Sequence, residues 1–242
     1  MKVAAMRSGL CSLLANPGSF RGLALLGVMG AIAGSGAAQA GHGFSAIGFG
    51  AESVALASAD VALARDSGAL NTNPAGLTQI GQSALDLYLN PYDLGGLTHS
   101  DEFGNDGYQI DNAYGSIGAG SYAWRMRDRP EVVLAAGMFV QGGAGFVYDR
   151  LKTAFGTRDE LSLVFGVFKF AGGLGWSVTP KLSLGANLGI AYTQGRQKFF
   201  PDTSDAQAGF FGQRFDGGEG WKPSVLLGLQ YRVLPTLTLG AA

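Results

Sequence analysis

The sequence predicts an all-β protein, an antiparallel transmembrane β-barrel with a separately folded N-terminal segment in its lumen. Three observations lead there: apolar residues recur at every second position, connections alternate between short and long, and the composition is rich in glycine and poor in charge. Of 242 residues, 40 are Gly and 14% are charged, while 47% are hydrophobic and 11% aromatic. Gly is more than double its usual share of about 7%, and charge is well below the usual ~25%. The glycines follow no G-X-Y register, which excludes collagen. The apolar and aromatic content excludes a disordered chain.

The first forty residues carry the marks of a secretory signal peptide. Lys2, Arg7 and Arg21 make the start positive, Gly22 to Ala33 forms an uncharged apolar core, and Ala38-Gln39-Ala40 offers a cleavage site before Gly41. The stretch is longer than most signal peptides, which leaves initiation at Met6 open. A membrane anchor would need a longer apolar run. A lipoprotein would need Cys11 after the apolar core rather than before it. Cys11 is the one cysteine, so the mature chain is expected to lack disulfides and thiolate metal sites.

Alternation is clearest over Lys181 to Thr193. There Leu182, Leu184, Ala186, Leu188, Ile190 and Tyr192 share one face, opposite Ser183, Gly185, Asn187 and Gly189. In Trp221 to Leu234, Trp221, Val225, Leu227, Leu229, Tyr231 and Val233 share a face, with aromatics near both ends as an interfacial girdle requires. Glu131 to Gln141, Ser83 to Asn90 and, more weakly, Asn112 to Arg125 repeat the pattern. Within Leu161 to Val178 the phase changes. Leu161, Leu163 and Phe165 are odd-numbered, whereas Phe168, Phe170, Leu174 and Trp176 are even-numbered. A β-bulge is expected near Gly166 to Phe168.

The connections sort by length. A polar stretch at 91–110 is followed by a short link at 126–130. A long gap at 142–160 is followed by a turn at Thr179-Pro180, and a further long gap near 197–220 by a turn at Leu234-Pro235. Membrane barrels have short turns on one side and long loops on the other; a soluble β-sandwich, the rival fold, has no reason to do so. The predicted organisation is a signal peptide at 1–40, a hatch or plug at 41–82, and a partial barrel at 83–242 with six strands and the start of a seventh. Because a barrel leaves no edge unpaired in lipid, the barrel is expected to be incomplete in this chain.

Gly41 to Ile80 does not alternate. It is rich in Ala, Gly and Ser, contains a candidate short helix at Val54 to Ala64, and closes on the turn-like run Leu70 to Gly76, in which Pro74 restricts Asn73 to extended geometry. Three features then resemble the outer-membrane long-chain fatty acid transporter family (FadL-like). These are Gly43-Phe44 just after the cleavage point, the run from Gly48 to Leu77 with Asp66 and Asn73-Pro74-Ala75 as its signature, and the turn-then-strand phrases at Thr179 to Ala186 and Leu234 to Ala241. The sequence departs from that family at Arg65, where a second acid often stands beside the position of Asp66.

The resemblance implies a hatch-plugged barrel that passes long-chain fatty acids or other hydrophobic molecules inward without ATP, as a monomer in the bacterial outer membrane and in contact with its lipid. It further implies that Gly43 and Phe44 reach the ligand pocket, and that Asp66, Asn73, Pro74, Ala75 and Gly76 are hatch and gating residues, the Asn73-Pro74-Ala75 turn bracing the hatch against the wall. Phe146, Phe199, Phe200, Phe210 and Phe211 fall in the expected external loops as candidate capture residues. Arg196, Lys169, Lys222 and Arg232 are candidate lumen cations for a carboxylate, and ordinary porins carry such charges too.

Other chemistry finds no support. A net charge of −1 provides no field for nucleic acid. His99-Ser100-Asp101 names the members of a hydrolase triad, but neighbours in sequence do not form one, so no enzyme is expected. Asp101, Glu102, Asp106 and Asp111 crowd one loop without EF-hand spacing, and no metal or cofactor is expected. The remaining alternative is a general porin or a structural or adhesive outer-membrane barrel.

Overall fold

The computed structural model describes residues 45–46 and 48–242. The expected signal segment and Gly43-Phe44 lie outside the described residues. Seven strands form one antiparallel sheet with neighbours consecutive along the chain: β1 (Ser83–Asp93), β4 (Tyr114–Arg125), β5 (Val132–Lys152), β6 (Arg158–Ser177), β7 (Leu182–Asp205), β8 (Phe210–Leu234) and β9 (Leu237–Ala241). A small hairpin, β2 (Thr98–His99) and β3 (Tyr108–Gln109), lies in the connection from β1 to β4. The all-β antiparallel class expected from alternation is the class found.

The period-2 pattern has a direct structural counterpart. On β1, Ala84, Asp86, Tyr88 and Asn90 are half-buried, whereas Leu85, Leu87 and Leu89 are exposed, Leu87 at 78%. On β7 and β8 the exposed residues include Leu184, Leu188, Ile190, Val225, Leu227 and Leu229. Leucines displayed in rows by neighbouring strands make an apolar surface far larger than scattered exposure leaves on a soluble monomer. Aromatic side chains bound it at two levels. Phe168, Tyr192 and Trp221 form a lateral row, with ring centroids 6.2 and 4.4 Å apart. Tyr122 stacks on Trp124 at 5.6 Å next to the short turns, where Trp176 and Tyr231 also lie exposed. On β6 the two levels, Phe168 and Trp176, are eight residues or about 26 Å apart along the strand, close to the apolar band of a membrane barrel.

The opposite face is covered by residues 48–80, the segment expected to act as a plug and so termed the plug. Residues 48–80 contain a short helix α1 (Ala51–Ala55), a second helix α2 (Ala69–Thr72) and a 3-10 helix (Pro74–Gln79). The expected helix at Val54 to Ala64 does not form. Ala57 and Ser58 take positive φ values of 50° and 66°, and the chain turns out of α1 at Leu56. Asn73 is extended, as the following proline requires, with φ −154° and ψ 101°. It caps the 3-10 helix, its Oδ1 accepting from Ala75 N–H at 3.1 Å with Pro74 at the first helical position.

Two sequence expectations need correction. The long gaps at 142–160 and 197–220 are strand except for the turns at 153–157 and 206–209, because β5 and β6 stay paired out to Lys152 and Arg158, and β7 and β8 out to Asp205 and Phe210. Their polar and glycine content reflects extended hairpins with no single oily face. The bulge exists, but on the neighbouring strand. β6 pairs with β7 without interruption from Leu161 to Ser177, and the extra residue is Gln141 of β5, between the pairs Val140–Phe168 and Gly142–Val167. With no shift in β6 itself, the change of phase there means that its apolar residues change face.

Glycines let plug and wall meet. Gly175, Gly185 and Gly228 are cross-strand neighbours on β6, β7 and β8. A Cβ at Gly185 would lie 2.2 Å from the Pro74 carbonyl carbon and the Ala75 nitrogen. One at Gly228 would lie 2.1 Å from Asn73 Oδ1, and one at Gly175 2.7 Å from Pro74 O. Replacing Gly185 with Val is expected to destabilise the protein by about 3 kcal/mol or more and to open residues 48–80 to protease. Gly220→Ala, which would meet nothing within 4 Å, should leave urea unfolding unchanged.

Candidate plug latch and lumen surface

The inner face changes character from the short-turn end towards the long hairpins. Next to the short turns it is polar. Thr78 Oγ1 donates to Ser183 Oγ at 2.9 Å and Gln79 Nε2 to Gln230 Oε1 at 2.7 Å. Arg125 gives its guanidinium to the carbonyls of Thr78, Ile80, Gly81 and Pro130. Above this comes the glycine row, where Asn73 Nδ2 donates to Val61 O at 2.8 Å and Leu229 O at 3.1 Å. Asn187 donates from β7 to Leu70 O, and Gln141 Nε2 reaches Asn71 Oδ1 at 3.0 Å. Leu70 and Leu77 are fully buried beneath these bonds.

The hatch residues named from the sequence therefore occupy distinct places. Asn73, Pro74 and Ala75 sit buried against the glycine row, and Gly76 packs where a Cβ would fall 2.0 Å from Ala64 O. Asp66 lies on the β1 side. Ser67 donates from its N–H and its Oγ to Asp86 Oδ2 at 2.8 and 2.6 Å, and its hydroxyl also meets Ser121 of β4. Tyr88 presents a buried hydroxyl near the Asp66 carboxylate without closing a hydrogen bond of normal geometry. Burial pushes the Asp66 carboxyl above its ordinary value; the Tyr88 hydroxyl opposes that shift and the Asp86 charge adds to it.

Above the plug the inner face becomes apolar. The Gln141 bulge turns the even-numbered residues of β5 inward, so Ala144, Phe146 and Tyr148 lie across from Phe165, Leu163 and Leu161 of β6. Leu161 in turn pairs with Phe199 of β7. Tyr148 is buried with Ile110 and Leu151, and Phe146, Leu161 and Phe200 pack against that cluster. The bulge also leaves a backbone acceptor free: β4 pairs with β5 only as far as Phe139, and beyond it Gln141 O accepts from Ala46 N–H at 2.7 Å while Ser45 bridges Gly142.

Of the five phenylalanines expected in loops, all lie on strands. Phe146 and Phe199 face inward. Phe200 and Phe210 pack with Phe199 at ring distances of 5.1 and 6.0 Å, and Phe211 is 63% exposed near the hairpin tip. Arg196 does not face the lumen. It pairs with Val164 and shares the outward parity of Leu188, Ile190 and Tyr192, a placement hidden in the sequence by the unknown position of the bulge. His99 and Asp101 do touch, with Nε2 to Oδ2 at 3.0 Å, but Ser100 Oγ accepts from Gly107 N–H instead. No group of three or more potential metal ligands converges among the described residues. The inward signal missed by sequence reading is the odd-numbered series Leu161, Leu163, Phe165, whose phase change records a change of face.

Asn73→Ala removes the cap and two buried donors, and is expected to lower stability by about 2 to 3 kcal/mol in equilibrium unfolding. A carboxyl raised on folding contributes stability that is present below the ordinary carboxylate range and is lost as pH rises through the raised value. Hydrogen-exchange protection of residues 67–77 should therefore increase on acidification from neutral pH. Asp66→Asn should show the greater protection already at pH 7 and flatten that dependence.

No family model matches the chain, and no curated protein matches it. Solved structures do. The toluene transporter TbuX of Ralstonia pickettii aligns with TM-score 0.60 and 21% identity over 80% of this chain and 56% of that one. The toluene transporter TodX of Pseudomonas putida aligns with TM-score 0.51 and 17% identity over 81% of this chain and 55% of that one. The chain thus spans about half the length of the structures it matches. At these identities the likeness shows the fold, and the fold is the one implied by the resemblance found in the sequence: the antiparallel β-barrel architecture of these transporters.

Proposed function

We propose that this chain forms the plug-bearing wall of a bacterial outer-membrane channel that moves hydrophobic molecules, long-chain fatty acids among them, by passive diffusion past a hatch. The observation that carries the reading is the change of face on β6. Through the aromatic-bounded zone its apolar residues, Phe168, Phe170, Leu174 and Trp176, point outward, where lipid would lie. Towards the long hairpins Leu161, Leu163 and Phe165 point inward, where a solute would pass. A water-filled pore has no use for an apolar inner surface. A hydrophobic solute does, because each methylene left in water forfeits about 0.8 kcal/mol relative to an apolar site.

The plug gives the second support. It touches the inner face from β1, through Asp86, to β9, where a Cβ on Gly240 would lie 2.7 Å from Val61 O. A wall filled in this way obstructs free aqueous flow, and a solute held above the plug needs the plug to shift or another way out. The divergence of β4 from β5 above Phe139, bridged by residues 45 and 46, is a weak point in the wall beside the apolar surface.

The test is permeation into liposomes reconstituted with the full-length protein. Oleate or a comparably apolar solute should enter faster than through protein-free vesicles, and Phe146→Asp should reduce the rate about tenfold or more without loosening the plug. Equal entry with and without the protein, or free conductance of small sugars, would overturn the reading in favour of a structural barrel or a general porin.

A further inference from the structure

The foot of the plug borders a cavity that the passage of solutes leaves unexplained. Below the row Gly175, Gly185 and Gly228, the next inner row of β6, β7 and β8 is Ser177, Ser183 and Gln230. One row further down, the Arg232 N–H donates to Lys181 O at 2.8 Å, which sets Arg232 opposite Lys181, and Arg232 pairs with Thr238 of β9. Cross-strand partners share a face, so both cations belong to the inner face beneath the plug, at the end of the short turns, which in such barrels is the periplasmic end. A cavity of about 660 Å³ opens there, between Thr78 and Gln79 of the plug and the turn that joins β6 to β7.

Its lining is suited to an anion. Like charges directly opposite on neighbouring strands destabilise a ladder, yet Lys181 and Arg232 stand so, and among the described residues neither side chain makes a salt bridge or hydrogen bond. No Asp or Glu lines the cavity. Glu131, whose carbonyl accepts from Ser177 N–H at 2.8 Å, stands two strands or about 10 Å to the side of β7, and Asp60 is buried within the plug. The remaining polar lining is rich in free donors. Thr179 Oγ1 accepts from the N–H groups of Lys181 and Leu182 at 3.2 and 3.0 Å, and Ser183 Oγ accepts from Thr78 at 2.9 Å, so each keeps its own hydroxyl hydrogen for another partner. The hydroxyls of Ser177 and Thr238 border the same space.

We infer that this cavity is a binding site for a soluble phosphate-type oxyanion, with Lys181 and Arg232 neutralising its charge and the surrounding hydroxyls donating to its oxygens. Two adjacent cations call for a dianion rather than a single carboxylate. The wall lies between the site and the bilayer, because Leu182 and Tyr231, next to the two cations, have the opposite parity, so the ligand arrives from water and not as a lipid head group. Ser183 and Gln230, which hold Thr78 and Gln79, border the same cavity. Occupancy therefore tightens the foot of the plug. The site stands whether or not the lumen passes hydrophobic solutes.

The test is binding of inorganic phosphate to the detergent-solubilised full-length protein, by equilibrium dialysis at constant ionic strength. Wild type should bind saturably, with acetate a weak competitor. Lys181→Gln and Arg232→Gln should each weaken binding about tenfold, and the double variant should abolish it. Folding of each is checked by the heat-dependent mobility shift of the barrel. Without phosphate the single variants should resist urea at least as well as wild type, since each removes a like-charge contact. With phosphate wild type should gain most and show slower hydrogen exchange at Thr78 and Gln79. Absence of saturable binding, equal competition by acetate, or undiminished binding in the folded double variant overturns the site. Binding of phosphatidylglycerol in nanodiscs through the same two residues, with none of free phosphate, overturns the assignment to a soluble ligand.

Discussion

The contact on which the rest of this structure depends is the approach of the Asn73-Pro74-Ala75 backbone to the row Gly175, Gly185 and Gly228. Three neighbouring strands omit a side chain at the same height, and the plug fills the space a Cβ would take. Close approach brings Asn73 within reach of Val61 and Leu229, places Leu70 under Asn187, and aligns Thr78 and Gln79 with Ser183 and Gln230. Each such bond contributes only about 0.5–1.5 kcal/mol net, and none would form if the backbone stood off by the width of a methyl group. The glycines act as a template that fixes height and rotation, and the polar pairs read that position out.

A second constraint is the single extra residue in β5. One bulge exchanges inner for outer positions along the rest of a strand, because side chains alternate with a period of two. Below Gln141, β5 sends Val133, Ala135 and Phe139 inward; above it, Gly142, Ala144, Phe146 and Tyr148 take that place. The same residue separates β5 from β4, frees a carbonyl for Ala46 and extends its own amide to Asn71. The end of β4–β5 pairing, the exchange of inward for outward residues on β5, and the seat of residues 45 and 46 thus meet at one position.

Legibility in the sequence followed the strength of local rules. Alternation over Lys181 to Thr193 and Trp221 to Leu234 identified β7 and β8 because one face there is uniformly apolar. The Asn-Pro dipeptide gave the geometry of residue 73 because proline acts on its neighbour regardless of tertiary context. What stayed hidden depends on partners far away in sequence. The glycines at 175, 185 and 228 look like ordinary barrel glycines until their register is known. The outer halves of β5 to β8 looked like loops because a strand with polar residues on one face and mixed residues on the other has no clean period. Arg196 and Lys169 are both cations on long strands, and only register separates the outward one from the inward one. The segment Val54 to Ala64, alanine-rich and helix-prone, was diverted by positive φ values at Ala57 and Ser58 that no local signal announces.

The plug is not uniformly held, and this bears on how a hatch could act. Its second part, from Ser67 to Ile80, is largely buried, hydrogen-bonded to β1, β4, β5, β7 and β8 and packed on β6. Burying Leu70 and Leu77 alone is worth about 1.5–3 kcal/mol each, and displacing this part would also strand the amide of Asn73. The first part differs. Val54, Leu56 and Leu63 are exposed, α1 is a single turn, and the ion pair between Arg65 and Glu52 lies in solvent, where such pairs contribute little. The first part is not loose throughout: Phe49 packs edge-on against Phe139 at 5.4 Å and Val61 O accepts from Asn73, so the lightly held stretch is 54–59. Opening of 54–59 would expose few apolar contacts, while the bonds of Asn73 to Val61 O and Leu229 O hold the rest of the segment against the sheet.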